Sequence, residues 1–319
     1  MAGIDTETEI AVVGAGLIGR AWSLVFARAD FPVGLYDADP GQLDAARNWI
    51  ARTAESLSSF GLAGAPDALS ARVTGVSDLA EAVTPAAYVQ ECAPEDLETK
   101  RAIFAELDHL AGADTILASS TSGIGASQFT QNLDGAERCL VAHPVNPPYL
   151  VPLVELCPSP ATSRTVLDRA SALLEAAGQA PVVVEREVRG FLLNRLQGAV
   201  LNEALRLYED GLASAEDIDR TVKYGLGLRW SFMGPFETID LNAPGGIADY
   251  AARYGPLYED LGREQADPRP WRQATVAGLE RERRTYLDAE GLADRQAWRD
   301  RRLMALMAHK RERDRTDGQ

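Results

Sequence analysis

The sequence predicts an α/β protein in which a mostly parallel sheet domain, residues 1–187, is followed by an all-helical C-terminal domain, residues 188–319. Three observations carry this reading. Short β-branched runs alternate with helix-period segments through the first half, a glycine-rich turn joins the first strand to the first helix, and from Gly190 onward only long helical periodicities remain.

In chain order, Ile10–Val13 is a short β-branched run, followed by Gly14-Ala-Gly16-Leu-Ile-Gly19 and then the apolar series Ala21, Trp22, Leu24, Val25 and Phe26. This reads strand, tight turn, helix. Val33–Tyr36 forms a second strand that ends at Asp37, and Asp39-Pro40 opens a helix carrying Leu43, Ala46, Trp49 and Ile50 on one face. Further strands are expected at residues 88–90, 115–118, 139–142, 153–156 and 181–184, and the sheet domain ends near Arg186. Helical periodicity then runs through residues 191–210 and 215–225. The tail after Arg281 mixes arginines with acids and carries Trp298, Leu303, Leu306 and Met307 at helical spacing, the pattern of a solvated helix docked by one apolar stripe. Residues 311–319 are expected to fray.

The 319 residues are 46% hydrophobic and 25% charged, enough for a sizeable core and unlike a disordered or disulfide-scaffold chain. With 32 Lys and Arg against 47 Asp and Glu, the formal charge of −15 has the wrong sign for a nucleic-acid binder. Lysine is scarce, being confined to Lys100, Lys223 and Lys310. The cysteines, Cys92, Cys139 and Cys157, are odd in number and form no CxxC pair, so neither a disulfide framework nor a metal site is expected. No run approaches the roughly 18 apolar residues of a membrane helix, and residues 1–9 are acidic, so the chain reads as soluble, unexported and cytoplasmic.

Gly14, Gly16 and Gly19 lie between a strand and a helix, and Asp37 ends the next strand, 23 positions after Gly14. That context makes the turn a dinucleotide site of Rossmann type. Gly14 permits the tight turn, Gly16 lets a pyrophosphate approach the backbone, and Gly19 lets the helix pack closely on the strand, while the helix N-terminus faces the phosphates. Asp37 is placed for the ribose hydroxyls and would repel a 2′-phosphate. Ala38 and Asp39 follow it in place of an arginine, so NAD is favoured over NADP.

Oxidation of a secondary alcohol needs a base for the hydroxyl proton, and histidine is the usual choice. Of His109, His143 and His309, only His143 directly follows an apolar strand, in Ala142-His143-Pro144-Val145-Asn146-Pro147-Pro148. The C-terminal ends of strands are where open α/β sheets bind ligands.

These segments, with Gln90-Glu-Cys-Ala-Pro-Glu95, Ser119-Ser-Thr-Ser122, Val151-Pro-Leu-Val-Glu155, Gly190-Phe-Leu-Leu-Asn-Arg195 and Gly225-Leu-Gly-Leu-Arg-Trp230, resemble the 3-hydroxyacyl-CoA dehydrogenase family over nearly the whole chain. Within that family they are most similar to the lambda-crystallin or L-gulonate 3-dehydrogenase branch. The resemblance implies an NAD-dependent oxidoreductase with His143 as base, Glu155 as its orienting acid, and Ser122 and Asn194 as hydrogen-bonding partners of the reacting oxygen. It also implies cofactor contacts from Leu17, Ile18, Glu95, Lys100, Ser122 and Asn146 beside Gly14, Gly16, Gly19 and Asp37, and a homodimer made through the helical domain.

Two departures bear on the substrate. Ser120 stands where the acyl-CoA enzymes usually carry Asn, and the segment after the second strand holds Arg47, Arg52 and Arg72 but no lysine to meet CoA phosphates. Arg229, before Met233-Gly234-Pro235, matches the lambda-crystallin and L-carnitine dehydrogenase branches. A guanidinium fork there suits a substrate carboxylate. A small L-3-hydroxy acid, L-gulonate first, is therefore expected. The alternatives are a short-chain 3-hydroxyacyl-CoA dehydrogenase, an L-carnitine dehydrogenase with Trp230, Phe232 and Tyr254 caging the ammonium, and a non-catalytic NAD-binding structural protein, against which the set Ser122, His143, Glu155 and Asn194 argues.

Overall fold

Ile10–Val13 (β1) is buried at every position, as a strand covered on both faces of a parallel sheet must be. The computed structural model describes residues 7–317. After β1 come Leu17–Arg28 (α1), Val33–Tyr36 (β2), Pro40–Ser59 (α2), Pro66–Ala71 (α3), Val73–Val76 (β3), Leu79–Val83 (α4), Tyr88–Glu91 (β4), Leu97–Leu110 (α5), Ile116–Ser119 (β5), Ser127–Thr130 (α6), Cys139–Pro144 (β6), Leu153–Pro158 (β7), Arg164–Ala176 (α7) and Ala180–Val183 (β8). The strands form one sheet in the order β3-β2-β1-β4-β5-β6-β7-β8.

Strands β1 to β6 pair in parallel, β7 runs antiparallel to β6, and β8 is parallel to β7. The mostly parallel sheet is therefore as expected, and its one reversal proves decisive for the site. The strand order changes direction at β1, between β2 and β4, so a crevice opens at the carboxyl ends of β1 and β4.

Alternate residues of β1 feed two cores. Ile10 and Val12 join Trp22, Phe26 and Leu57 on one face, while Ala11 and Val13 join Phe104, Phe129 and Phe191 on the other. Trp22 stacks on Phe26 at 5.3 Å, and each such fully buried side chain contributes roughly 1.5–3 kcal/mol against the entropy of ordering it. Side-chain caps fix the helix starts: Asp39 accepts from Gly41 N and Asp96 from Thr99 N.

Strand β3 and the short helices α3 and α4 were not anticipated. β3 reads Val-Thr-Gly-Val and lies at the sheet edge with one buried residue; its β-branched residues are interrupted by Gly75, so the run is too short and too little apolar to stand out.

Contacts divide the chain into two compact units, one of residues up to 194 together with those from 296 onward, the other of residues 195–295. Leu193–Glu209 (α8) leads into Ala215–Thr221 (α9), a π-helical turn at Val222–Leu226, Gly227–Trp230 (α10), Pro235–Leu241 (α11), Gly246–Glu264 (α12) and Gln273–Arg284 (α13). No strand follows β8 among the described residues.

Leu292–Asp317 (α14) returns to the first unit from residue 296, which distinguishes these units from a division at residues 187 and 188. The physical reason is its apolar stripe, which is rotated from the expected one. Met304 is buried in the first core with Leu303, Met307 and Ala308 against it, while Trp298 and Leu306 are exposed. Past Arg311 the helix continues to Asp317, and Arg311 donates to Leu62 O at 3.1 Å. Residues 318 and 319 lie outside the described residues. No helix among the described residues is long and apolar enough to cross a membrane.

Candidate active site

The glycine turn carries the geometry that its three positions require. Gly14 has φ +103°, and a Cβ there would lie 2.9 Å from Cys92 O at the end of β4. A Cβ at Gly19 would lie 1.7 Å from Gly14 O, so α1 can sit on the turn only with glycine there. At Gly16 a Cβ would meet nothing within 4 Å, and the backbone instead faces open space at the start of α1, where no side chain caps the first N–H groups. Leu17 at that helix start is exposed and Ile18 half-buried.

Asp37 braces this turn: Oδ2 accepts from Ala15 N at 2.7 Å and Oδ1 from Asp39 N at 2.9 Å. The carboxylate remains partly exposed beside the opening. An open, uncapped helix start with an acid at the end of the second strand fits a pyrophosphate and a free ribose, and the residues therefore suit NAD.

His143 lies in β6 directly opposite Glu155 in β7. The antiparallel register is what brings residues 12 positions apart to adjacent places, with His143 Nδ1 2.8 Å from Glu155 Oε2. The other carboxylate oxygen, Oε1, accepts from Leu192 N at 2.7 Å and Leu193 N at 2.8 Å, at the start of α8. Both residues are buried. Burial pushes Glu155 up, but the hydrogen bonds from His143, Leu193 and Leu192 more than offset it and hold the carboxyl below the usual glutamate range. Glu155 thus favours the Nδ1–H tautomer, in which Nε2 carries the ring's lone pair.

Phe191 was missed. Its ring packs on His143 with centroids 5.3 Å apart, and it is fully buried at φ +50°, directly after Gly190 at φ +79°. Two successive left-handed residues make the bend that aims the Leu192 and Leu193 N–H groups at Glu155, and a bulky residue holds that conformation only where packing imposes it. The glycine was the visible signal; the aromatic beside it was not.

Ser122 and Asn194 meet: Asn194 Nδ2 donates to Ser122 O at 2.6 Å. Glu95 Oε1 organises the same turn, accepting from Ser122 N and Gly123 N at 3.1 Å each and from Thr121 Oγ1. Ser122, Glu95 and Asn146 are all exposed, whereas Lys100 is not. Lys100 Nζ donates to both oxygens of the buried Glu91, at 3.0 and 3.1 Å, and approaches Ala93 O at 3.5 Å. So placed, the buried Lys100 braces the β4–α5 loop through Glu91 and Ala93.

Ser120 is likewise part of the scaffold. Its Oγ accepts from Trp22 Nε1 at 3.1 Å and Gln90 Nε2 at 2.7 Å and lies 3.2 Å from Cys92 Sγ, so it ties α1, β4 and β5 together. Burial, eased by the Ser120 bond, pushes the Cys92 thiol well up, which keeps it unreactive. None of the three cysteines is paired, and no group of three or more His, Cys, Asp or Glu among the described residues could hold a metal ion.

In the second unit, Arg229 lies in α10, directly after the π-helical turn, half-buried and without a carboxylate partner among the described residues. Other arginines of this unit, among them Arg206, Arg253, Arg263, Arg269 and Arg272, do pair with acids.

Comparison with known proteins matches residues 9–188 to the NAD binding domain of 3-hydroxyacyl-CoA dehydrogenase and residues 190–285 to the C-terminal domain of the same enzyme. The chain is 45% identical over 313 residues to a lambda-crystallin homolog from Bos taurus, covering 95% of this chain and 96% of the relative. It is 38% identical over 303 residues to an L-carnitine dehydrogenase from Streptomyces griseus, covering 94% and 89%. Among solved structures it is similar to an NAD-dependent 5-formyl-3-hydroxy-2-methylpyridine 4-carboxylic acid 5-dehydrogenase, with TM-score 0.80 and 27% identity over 93% of this chain and 96% of that one.

Proposed function

Because the chain belongs to the 3-hydroxyacyl-CoA dehydrogenase family and is thereby an NAD-dependent oxidoreductase acting on a CH–OH group, we propose that it oxidises the 3-hydroxyl of a small free L-3-hydroxy acid, L-gulonate first among them, to the 3-keto acid. The observation that carries the reaction type is the buried His143–Glu155 pair with Nε2 left free to accept a proton. Bound NAD supplies the hydride acceptor. His143 Nε2 takes the hydroxyl proton while Glu155 stabilises the imidazolium so formed. Ser122 and Asn194 hold the reacting oxygen, and the main chain at Gly16, Leu17 and Ile18 receives the phosphates.

The preference for a free acid rests on chemistry present and chemistry missing. Arg229 has no carboxylate partner among the described residues and offers its guanidinium to one, and no lysine lies between Asp37 and Lys100 to meet CoA phosphates. The likeness to lambda-crystallin homologs and to L-carnitine dehydrogenase supports the same preference. The test is NADH production with L-gulonate, L-carnitine, L-3-hydroxybutyrate and L-3-hydroxybutyryl-CoA in parallel. The free acids should lead; a lead for the CoA ester overturns the reading.

The second unit further supports a homodimer. Only Ala215, Thr238 and Ala243 are buried among its described residues, whereas Leu212, Leu228, Phe232, Phe236 and Leu241 are each more than 60% exposed. Helices with that much bare apolar surface need a covering partner, and a second copy supplies it. The proposed setting is the reducing cytoplasm, which suits three unpaired cysteines.

A further inference from the structure

Helix α14 lies beyond residue 285, where the matched family domains stop, and the site described above makes no use of it. From residue 296 it belongs to the first compact unit. Asp300, Leu303 with Met304, Met307 with Ala308, and Arg311 recur at three- and four-residue intervals, so they share one helix face. The middle of that face enters the core that contains Tyr149 and Leu150, and its two polar ends are anchored, Arg311 on Leu62 O and Asp300 on the Tyr149 hydroxyl at 3.2 Å.

Tyr149 closes the segment that begins at His143 and is held at three points. Arg28 Nη1 donates to its carbonyl at 2.8 Å, its ring meets Trp49 edge-on at 5.4 Å, and its hydroxyl donates to Asp300. Leu150 N and Val151 N both donate to Pro147 O, so the placement of Tyr149 sets the turn that carries Asn146. The same residue connects to the glycine turn, since Arg28 ends α1 and the Arg20 guanidinium, near its start, lies 4.7 Å over Trp49. Burial and the Asp300 carboxylate both push the Tyr149 hydroxyl up, which keeps it a proton donor at neutral pH.

We propose that α14 is a positioning element of the dehydrogenase, in which Asp300 acts through Tyr149 to hold the 143–148 segment in register with the cofactor turn. This rests on the reading of those two segments as the cofactor and reaction site. Asp300 is a positioning residue that touches neither cofactor nor substrate; it fixes the residue that fixes the loop.

The test compares full-length wild type, Asp300→Ala, Asp300→Asn, Tyr149→Phe and the Tyr149→Phe/Asp300→Ala double variant by NADH fluorescence titration, with thermal unfolding alongside. Asp300→Ala should weaken NADH binding about threefold to tenfold, the worth of one hydrogen bond, and Asp300→Asn, which keeps an acceptor, should recover to within about twofold of wild type. Tyr149→Phe keeps the ring packing and should match Asp300→Ala, and the double variant should be no worse than either. Wild-type affinity in both single variants, additive losses, or no rescue by Asn would overturn the proposal. NADH binding does not depend on which hydroxy acid is the substrate, so a wrong substrate leaves the test intact, whereas failure of the wild type to bind NADH overturns both readings.

Discussion

Glu155 faces His143 across the antiparallel pairing of β6 with β7, and its two oxygens are divided between the imidazole and the start of α8. A single buried carboxylate thus orients the base and seats the helix that carries Asn194. Replacing it with glutamine removes the charge that favours the imidazolium. Glu155→Gln is expected to lower kcat by about 10²- to 10⁴-fold while changing NADH affinity little, as measured by steady-state kinetics beside fluorescence titration.

The same residue predicts a pH dependence of stability. Its carboxyl is held below the ordinary glutamate value in the fold, so the stabilisation is complete above the unfolded pKa of about 4.3 and is lost as pH falls through the folded value. Denaturant titrations at pH 7 should therefore show wild type more stable than Glu155→Gln. The gap should narrow below about pH 4; a gap constant with pH would contradict the assignment.

The three glycines separate binding from folding. Gly16→Ala has open space around the new methyl and should leave the melting temperature near wild type while weakening NADH binding. Gly19→Ala drives a methyl into Gly14 O and should cost about 1–3 kcal/mol or more of stability. Thermal unfolding with and without NADH reads both.

Lys100 and Glu91 form a buried ion pair, and Lys100→Met strands the carboxylate. The expected loss is about 3–5 kcal/mol of folding stability, read by urea unfolding. An unchanged midpoint would mean that the buried pair contributes nothing net to the fold.

Arg229→Met should raise KM for carboxylate substrates about tenfold to a hundredfold, the loss of a charge-assisted hydrogen-bonding pair, with kcat less affected. An unchanged KM would remove Arg229 from the substrate site.

Much of this was legible in the sequence because it rests on local patterns. The turn at residues 14–19, Asp37 and the strand–helix alternation each carry their signal within a few residues. The His143–Glu155 pair was legible only through the family motifs, since a 12-residue interval has no meaning until the antiparallel register supplies it. Lys100 stood out by scarcity, yet its partner Glu91 is brought to it by the sheet, and composition cannot show that. The stripe of α14 was misplaced because Trp298 and Leu306 look as apolar as Met304, and only the docked face, anchored at Asp300 and Arg311, tells them apart.

Whether His143 takes the proton is read from the turnover of His143→Gln, measured with the free hydroxy acid that wild type prefers and accompanied by NADH titration. A loss of about 10²-fold or more in kcat with NADH affinity retained is the predicted result. Turnover within a few-fold of wild type would mean that the buried pair is structural and that another group takes the proton.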